Sequence, residues 1–139
     1  MTNKVEGGCL CGLVRYNFDK DDVISSHHCH CKDCQKSTGS GKATIVLIPG
    51  SSVVIKGEIK FFSVTGKDGR HVNRGFCHEC GSPLISFVEE MKEIKFIKAG
   101  SLDDSSWIKV KSSFWNTTAE NWSPVDDEID SFTHNPNNL

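Results

Sequence analysis

The sequence lacks any apolar run that approaches the ~20 residues needed to span a membrane, and it has no marked excess of charge of either sign. Its 16 lysines and arginines nearly balance 18 aspartates and glutamates, for a formal net charge of -2. The lysines are scattered, so the basic stripe typical of nucleic-acid binding is missing. The first six residues contain no apolar stretch of signal-peptide length. We expect a cytoplasmic protein with neither a membrane nor a nucleic-acid partner.

The chain also lacks an even number of cysteines to pair, since it has seven. An odd count does not fit a framework of paired disulfides, and cysteines separated by one residue bridge poorly. Thiols in a reducing compartment stay free for metal binding or catalysis. Metal binding is therefore the leading interpretation. The length of 139 residues predicts a single domain over 1–139, which is small enough to gain stability from metal cross-links.

Helical periodicity is scarce as well. Short segments rich in β-branched and aromatic residues alternate with glycine, proline and aspartate breakers, which is typical of antiparallel strands. The predicted strands are 13–18, 43–48, 53–55, 60–64, 84–88, 93–99 and 107–110. One helical turn is predicted at 31–37. From about residue 116 we expect an irregular tail, anchored by Trp122 and Phe132 and frayed after Thr133. The fold class is thus mainly β with little helix.

Two cysteine clusters, C-L-C-G at 9–12 and C-H-E-C-G at 77–81, lie far apart in the chain. Zinc binds four thiolates tetrahedrally, and two short clusters brought together are a common way to supply them. The glycine after each cluster suits the tight turn that follows a ligand. We predict a closed structural zinc site, whose formation contributes to folding. Its ligands are Cys9, Cys11, Cys77 and Cys80.

A third cluster, C-H-C-K-D-C at 29–34, has three cysteines and no fourth. Cys29 and Cys31 share one face of an extended chain, and a turn that starts at Cys31 can bring Cys34 to the same side. Zinc with three protein ligands keeps a fourth position for water or substrate, as catalytic sites do. A thiolate-rich zinc is a weak Lewis acid, but it binds and deprotonates thiols. We predict a second, catalytic zinc site that activates a small-molecule thiol.

Histidines near the third cluster allow a different interpretation. His27 would share a face with Cys29 and Cys31 in an extended strand. As a fourth ligand it would make the second site closed and structural. His28 and His30 point the other way and are expected to be packed polar groups. The fourth ligand therefore stays open between water, substrate and His27.

The three motifs, in this order, resemble those of the glutathione-dependent formaldehyde-activating enzyme family, also called the GFA or centromere protein V-like family. The matching residues are GGCLCG at 7–12, CHCKDC at 29–34, STGS at 37–40 and RGFCHECGSPL at 74–84. The resemblance implies the Mss4-like fold, a β-tent of antiparallel sheets stapled by zinc. It also implies a structural zinc on Cys9, Cys11, Cys77 and Cys80 and a catalytic zinc on Cys29, Cys31 and Cys34.

The activity that the resemblance implies is the condensation of formaldehyde with glutathione to S-(hydroxymethyl)glutathione, classified as a carbon-sulfur lyase reaction. We accordingly expect a zinc-dependent carbon-sulfur lyase-like enzyme whose partner is a small thiol such as glutathione. The alternative is a non-catalytic zinc-binding module with an Mss4-like fold that binds a protein or a small thiol, because a fold alone does not fix function. The sequence makes no prediction about the oligomeric state.

Overall fold

Short strands make up most of the regular structure in the computed structural model, which describes residues 3–136. Within these residues there are eleven strands and one α-helix, α1, at Lys32–Thr38. The strands are β1 Lys4–Gly8, β2 Arg15–Asp19, β3 Ser25–Cys29, β4 Ala43–Pro49, β5 Val54–Lys56, β6 Ile59–Thr65, β7 His71–Cys77, β8 Pro83–Val88, β9 Ile94–Lys98, β10 Ser112–Phe114 and β11 Asp130–Ser131. Single 3-10 turns lie at Lys20–Asp22, Gly50–Ser52, Glu89–Met91, Ala99–Ser101 and Asn116–Thr118. The prediction of a mainly β protein is confirmed.

The predicted strands agree with the structure except at one place. Residues 107–110 form no strand, and the Trp107 indole instead lies under the ammonium of Lys20 at 5.6 Å. The predicted helical turn at 31–37 is present one residue later, as α1. No helix in the described part of the chain is both long and apolar enough to cross a membrane.

The first of two compact units contains residues up to Ile24 together with Val46–Trp107. In it β1, β2 and β5 form a three-stranded sheet in that order, with β1 and β2 antiparallel. The unit also contains residues 46–49 of β4, followed in order of adjacency by β9, β8, β7 and β6. Its core is apolar and includes the buried side chains of Val14, Tyr16, Phe18, Leu84, Ile85 and Ile97.

The second compact unit contains Ser25–Ile45 and the chain from Ile108 onward. Here β10 lies between β11 and β3 and runs parallel to both. The register pairs Phe114 of β10 with Cys29 of β3. Phe114 is buried, and Ser113 and His30 are fully buried polar neighbours in this unit. The prediction of a single domain over 1–139 stays a prediction.

The tail differs in part from expectation. Phe132 packs its ring edge-on against Phe114 at 6.3 Å, as an anchoring residue would. Trp122 does not anchor the tail, because 68% of its surface is exposed. The expected fraying after Thr133 is wrong for the next two residues, since the His134 carbonyl and the Asn135 side chain both accept hydrogen bonds from Trp115. The last three residues, 137–139, lie outside the described part.

Candidate metal centres

The four cysteines of the predicted structural site lie together in the first unit. Their Sγ atoms are all within 4.8 Å of one another. The Cys9 and Cys11 sulfurs are 3.6 Å apart, and the Cys11 and Cys77 sulfurs are 3.8 Å apart. Zinc-sulfur bonds of about 2.3 Å separate the corners of a tetrahedron by about 3.8 Å. The spacing and the all-sulfur donor set therefore fit a tetrahedral zinc ion.

Each half of this cluster is a tight turn closed by a glycine. The Gly12 N–H donates to the Cys9 carbonyl at 3.2 Å, and the Gly81 N–H donates to the Cys77 carbonyl at 2.8 Å. Gly12 has a φ of 81° and Gly81 a φ of 77°, a region that side chains disfavour. The predicted glycine turn after each cysteine cluster is confirmed at both positions.

Ser82 connects the two halves of the cluster. Its hydroxyl oxygen accepts a hydrogen bond from the Leu10 N–H at 3.0 Å and lies 3.2 Å from the Cys80 sulfur. Since that oxygen already serves as acceptor, its own proton is free to donate to Cys80. The Ser82 hydroxyl and backbone N–H lower the pKa of Cys80 to about 5, which favours the thiolate that a metal requires.

Crowding of the sulfurs has the opposite effect on Cys11. The Leu13 N–H lowers the pKa of Cys11, but burial and the neighbouring sulfurs outweigh it and raise the pKa to about 12. Four thiolates this close repel one another, and the positive charge of a bound dication offsets that repulsion, so that coordinated thiols lose their protons. The four sulfurs could therefore hold a cation.

The three remaining cysteines converge in the second unit. The Sγ atoms of Cys29, Cys31 and Cys34 are within 4.8 Å of one another, and among residues 3–136 no histidine, aspartate or glutamate joins the group. Cys29 ends β3, and Cys31 caps α1 by accepting the Cys34 N–H on its sulfur at 3.3 Å. The neighbouring Cys31 and Cys34 thiols, together with burial, raise the pKa of Cys29 well above its usual range. Three soft donors on one side of an ion fit a zinc with a free fourth position.

Comparison with known proteins identifies the family of the chain. The model of the glutathione-dependent formaldehyde-activating enzyme family matches residues 4–118. The chain belongs to the GFA family. A Halomonas elongata protein provisionally named glutathione-dependent formaldehyde-activating enzyme is 26% identical over 107 residues, which cover 71% of this chain and 66% of that protein. The chain thus spans just under two thirds of the length of this relative.

A solved structure gives the fold-level comparison. A structural-genomics crystal structure of a Rhodobacter sphaeroides protein superposes with a TM-score of 0.55 at 18% identity. The match covers 70% of this GFA chain and 87% of the other. At this identity the likeness concerns the fold alone.

His27 of this GFA chain is not brought to the three-cysteine cluster. Its Nε2 bonds the Ser25 hydroxyl at 2.7 Å and its Nδ1 bonds the Ser112 hydroxyl at 2.7 Å. The ring also stacks on Phe114 at 4.7 Å. Burial lowers the pKa of His27 to about 4, so the ring is neutral. Because both nitrogens are occupied by serines, His27 closing the site as a fourth ligand does not agree with the structure.

The other two histidines behave as packed polar groups. His28 Nδ1 lies 2.8 Å from the Thr44 hydroxyl, and burial lowers the His28 pKa to about 4. His30, which lies between Cys29 and Cys31 in the sequence, is fully buried. The His30 carbonyl accepts hydrogen bonds from the Gln35 side-chain amide and the Thr118 hydroxyl. Sequence analysis did not identify these two residues, because neither belongs to a motif.

Proposed function

We propose that this chain is a zinc-dependent carbon-sulfur lyase-like enzyme that acts on an adduct of glutathione or another small thiol, such as S-(hydroxymethyl)glutathione. The observation that carries the proposal is the convergence of three sulfurs, Cys29, Cys31 and Cys34, with no further protein ligand in their group within the described residues. Membership of the GFA family supports the choice of substrate class. The Halomonas relative carries the corresponding name.

The proposed roles divide the seven cysteines into two sets. The structural zinc would be held by Cys9, Cys11, Cys77 and Cys80, and the catalytic zinc by Cys29, Cys31 and Cys34. When bound at the second set, zinc supplies a thiophilic fourth position at which the pKa of a small-molecule thiol falls. The Cys34 N–H would hold the Cys31 sulfur in its orientation through the 3.3 Å contact.

In the lyase direction the adduct loses the proton of its hydroxyl group as the carbonyl of formaldehyde forms. The carbon-sulfur bond breaks, and its electron pair remains on sulfur as the thiolate of glutathione. Condensation is the reverse, in which the thiolate attacks the aldehyde carbon and the oxygen gains a proton. The seven free thiols suit a reducing compartment, and we propose the cytoplasm. The proposed partner is the small thiol, with no role for nucleic acid or membrane.

Exchange NMR with 13C-formaldehyde and glutathione tests this function. We expect the zinc-loaded protein to accelerate exchange between the adduct and its components above the uncatalysed rate. The Cys31→Ser variant should lose most of that acceleration, since it removes one of three ligands. Ser51→Ala, at an exposed position in the other unit, is the control and should match the unmodified protein.

The same measurement decides against the proposal if the exchange rate equals the uncatalysed rate at every zinc loading. That result would favour the alternative, a non-catalytic zinc-binding module.

A further inference from the structure

The backbone of His30, between two of the proposed zinc ligands, is held at both of its polar groups. Its N–H donates to the Phe114 carbonyl at 3.0 Å. Its carbonyl accepts two hydrogen bonds, from the Gln35 side-chain amide at 2.9 Å and from the Thr118 hydroxyl at 2.9 Å. A carbonyl that receives two donors in a buried location has little freedom to rotate. The orientation of the chain from Cys29 to Cys31 is therefore fixed from outside the cysteine motif.

Gln35 links this loop to the helix that carries the third cysteine. It lies in α1 and is buried, and its backbone N–H bonds the Cys31 carbonyl at 3.0 Å. Its side-chain amide also donates to the Thr118 carbonyl at 3.0 Å. One amide group thus connects the loop of Cys29 and Cys31 with the turn that carries Thr118.

The turn that carries Thr118 begins at a strained residue. Trp115 has a φ of 60° and a ψ of 46°, and it alone among the non-glycine residues 3–136 has a positive φ. Bulky side chains rarely adopt this conformation, which persists where its surroundings hold it. Here the Trp115 N–H bonds the His134 carbonyl at 3.3 Å, and the indole N–H bonds the Asn135 side chain at 3.0 Å. The 3-10 turn Asn116–Thr118 follows directly.

We propose that Thr118 and Gln35 are positioning residues for the three-cysteine metal site. By fixing the His30 carbonyl they set the direction in which Cys29 and Cys31 present their sulfurs, and Trp115 places Thr118 where its hydroxyl reaches that carbonyl. Neither residue supplies a ligand atom. The inference rests on the metal-binding part of the proposed function, and its readout is metal affinity instead of lyase activity.

The size of the effect follows from the hydrogen bonds removed. Groups that orient metal ligands typically change metal affinity by about 10- to 100-fold when they are lost. Thr118 acts one step further away, through the backbone between two ligands, so we expect a value near the lower end. Thr118→Val keeps the shape of the side chain and removes the hydroxyl, whose single proton is shared between the His30 carbonyl at 2.9 Å and the Trp115 carbonyl at 3.1 Å. It should weaken the three-cysteine site about tenfold.

The test measures cadmium binding to the full chain by cadmium-113 NMR with chelator competition, which reports all-sulfur and three-sulfur sites separately. Thr118→Val should weaken the three-cysteine site and leave the four-cysteine site unchanged in the same molecule. Thr118→Ser, which keeps the hydroxyl, should restore the affinity. The matched control is Thr117→Val in the same turn, whose exposed hydroxyl bonds Thr133 instead, and its affinity should stay within about twofold of the unmodified chain.

Gln35→Met provides a second variant of similar size. It removes the two hydrogen bonds that the amide donates and the one that its oxygen accepts from Lys32 at 3.5 Å. It should weaken the same site at least as much as Thr118→Val. The inference is overturned if Thr118→Val and Gln35→Met bind cadmium at the three-cysteine site as the unmodified chain does. It is also overturned if Thr118→Ser is as weak as Thr118→Val, or if both sites weaken together.

Normal cadmium binding with the expected variant effects, but without adduct exchange, would reject the lyase and keep the inference. No cadmium at the three-cysteine site of the unmodified chain would reject both.

Discussion

At the scale of single residues, Ser82 connects the two halves of the four-cysteine cluster. Its hydroxyl bonds the Leu10 N–H on one side and the Cys80 sulfur on the other. These contacts join a turn near the start of the chain to a turn far along it. They also favour the thiolate of Cys80, whose pKa is lowered to about 5.

Ser82→Ala should therefore weaken metal binding at the four-cysteine site. Loss of the hydroxyl leaves the Leu10 N–H without this acceptor and removes the donor to Cys80. Removing a group that hydrogen-bonds to a metal ligand typically lowers metal affinity by about 10- to 100-fold. Chelator competition on the zinc-loaded protein measures the effect. Ser51→Ala, at an exposed position in the same unit, should bind zinc as the unmodified chain does, and equal affinities for the two variants would contradict the role of Ser82.

The cysteines could be predicted from the sequence, but the groups around them could not. The spacing of the seven cysteines in the sequence was sufficient to divide them into a group of four and a group of three. Ser82, Gln35 and Thr118 have no such signature, because a hydroxyl or amide gains its role from the backbone group it happens to face. His27 shows the converse. Strand alternation placed it on the face of Cys29, whereas the structure gives its two nitrogens to Ser25 and Ser112.

At the scale of elements, β7 and β8 approach each other closely at Gly75. The register between these antiparallel strands shifts between Arg74 and Phe76, which marks an irregularity at the glycine. A Cβ atom at this position would clash with the Ile85 carbonyl and would lie 2.8 Å from side-chain atoms of both Ile59 and Phe61. Glycine is required here by close packing, and β7 ends at Cys77, one of the four clustered cysteines.

Gly75→Ala should consequently lower the free energy of unfolding by about 1 to 3 kcal/mol, the usual cost of overpacking a buried position. Chemical denaturation of the zinc-loaded protein measures it. The matched control is Gly100→Ala, where an added Cβ has no neighbour within 4 Å and should change the free energy little or raise it by up to about 1 kcal/mol. Equal stability of the two variants would mean that the strands can separate without cost.

Sequence analysis missed five strands, β1, β3, β7, β10 and β11, and two of them show the reason. β3 reads S-S-H-H-C and β7 reads H-V-N-R-G-F-C, so neither has the β-branched run that predicts a strand. They form because a neighbouring strand supplies hydrogen bonds, a tertiary effect that outweighs local propensity. The segment 107–110 is the opposite case, since apolar residues predict a strand but no neighbour pairs with them. Apolar residues, many of them β-branched or aromatic, were sufficient for β4, β6 and β8.

At the scale of the whole molecule, the two cysteine sets lie in different compact units. The four-cysteine set joins the end of β1 to the β7–β8 turn, residues far apart in sequence. A metal there closes a long loop, and binding free energy becomes folding free energy. The three-cysteine set lies within six consecutive residues at the start of α1. Loss of a metal from this set should leave most of the fold intact, because cross-linking so short a loop adds little stability.

Cys77→Ser and Cys31→Ser separate these two roles. We expect Cys77→Ser to lose zinc and fold poorly, because structural zinc sites contribute on the order of 10 kcal/mol to folding. Cys31→Ser should remain folded with one zinc fewer than the unmodified chain, for which two zinc ions are expected. Elemental analysis measures the zinc, and circular dichroism during heating measures the fold. If Cys77→Ser and Cys31→Ser have the same melting temperature, the division into a structural and a catalytic site is wrong.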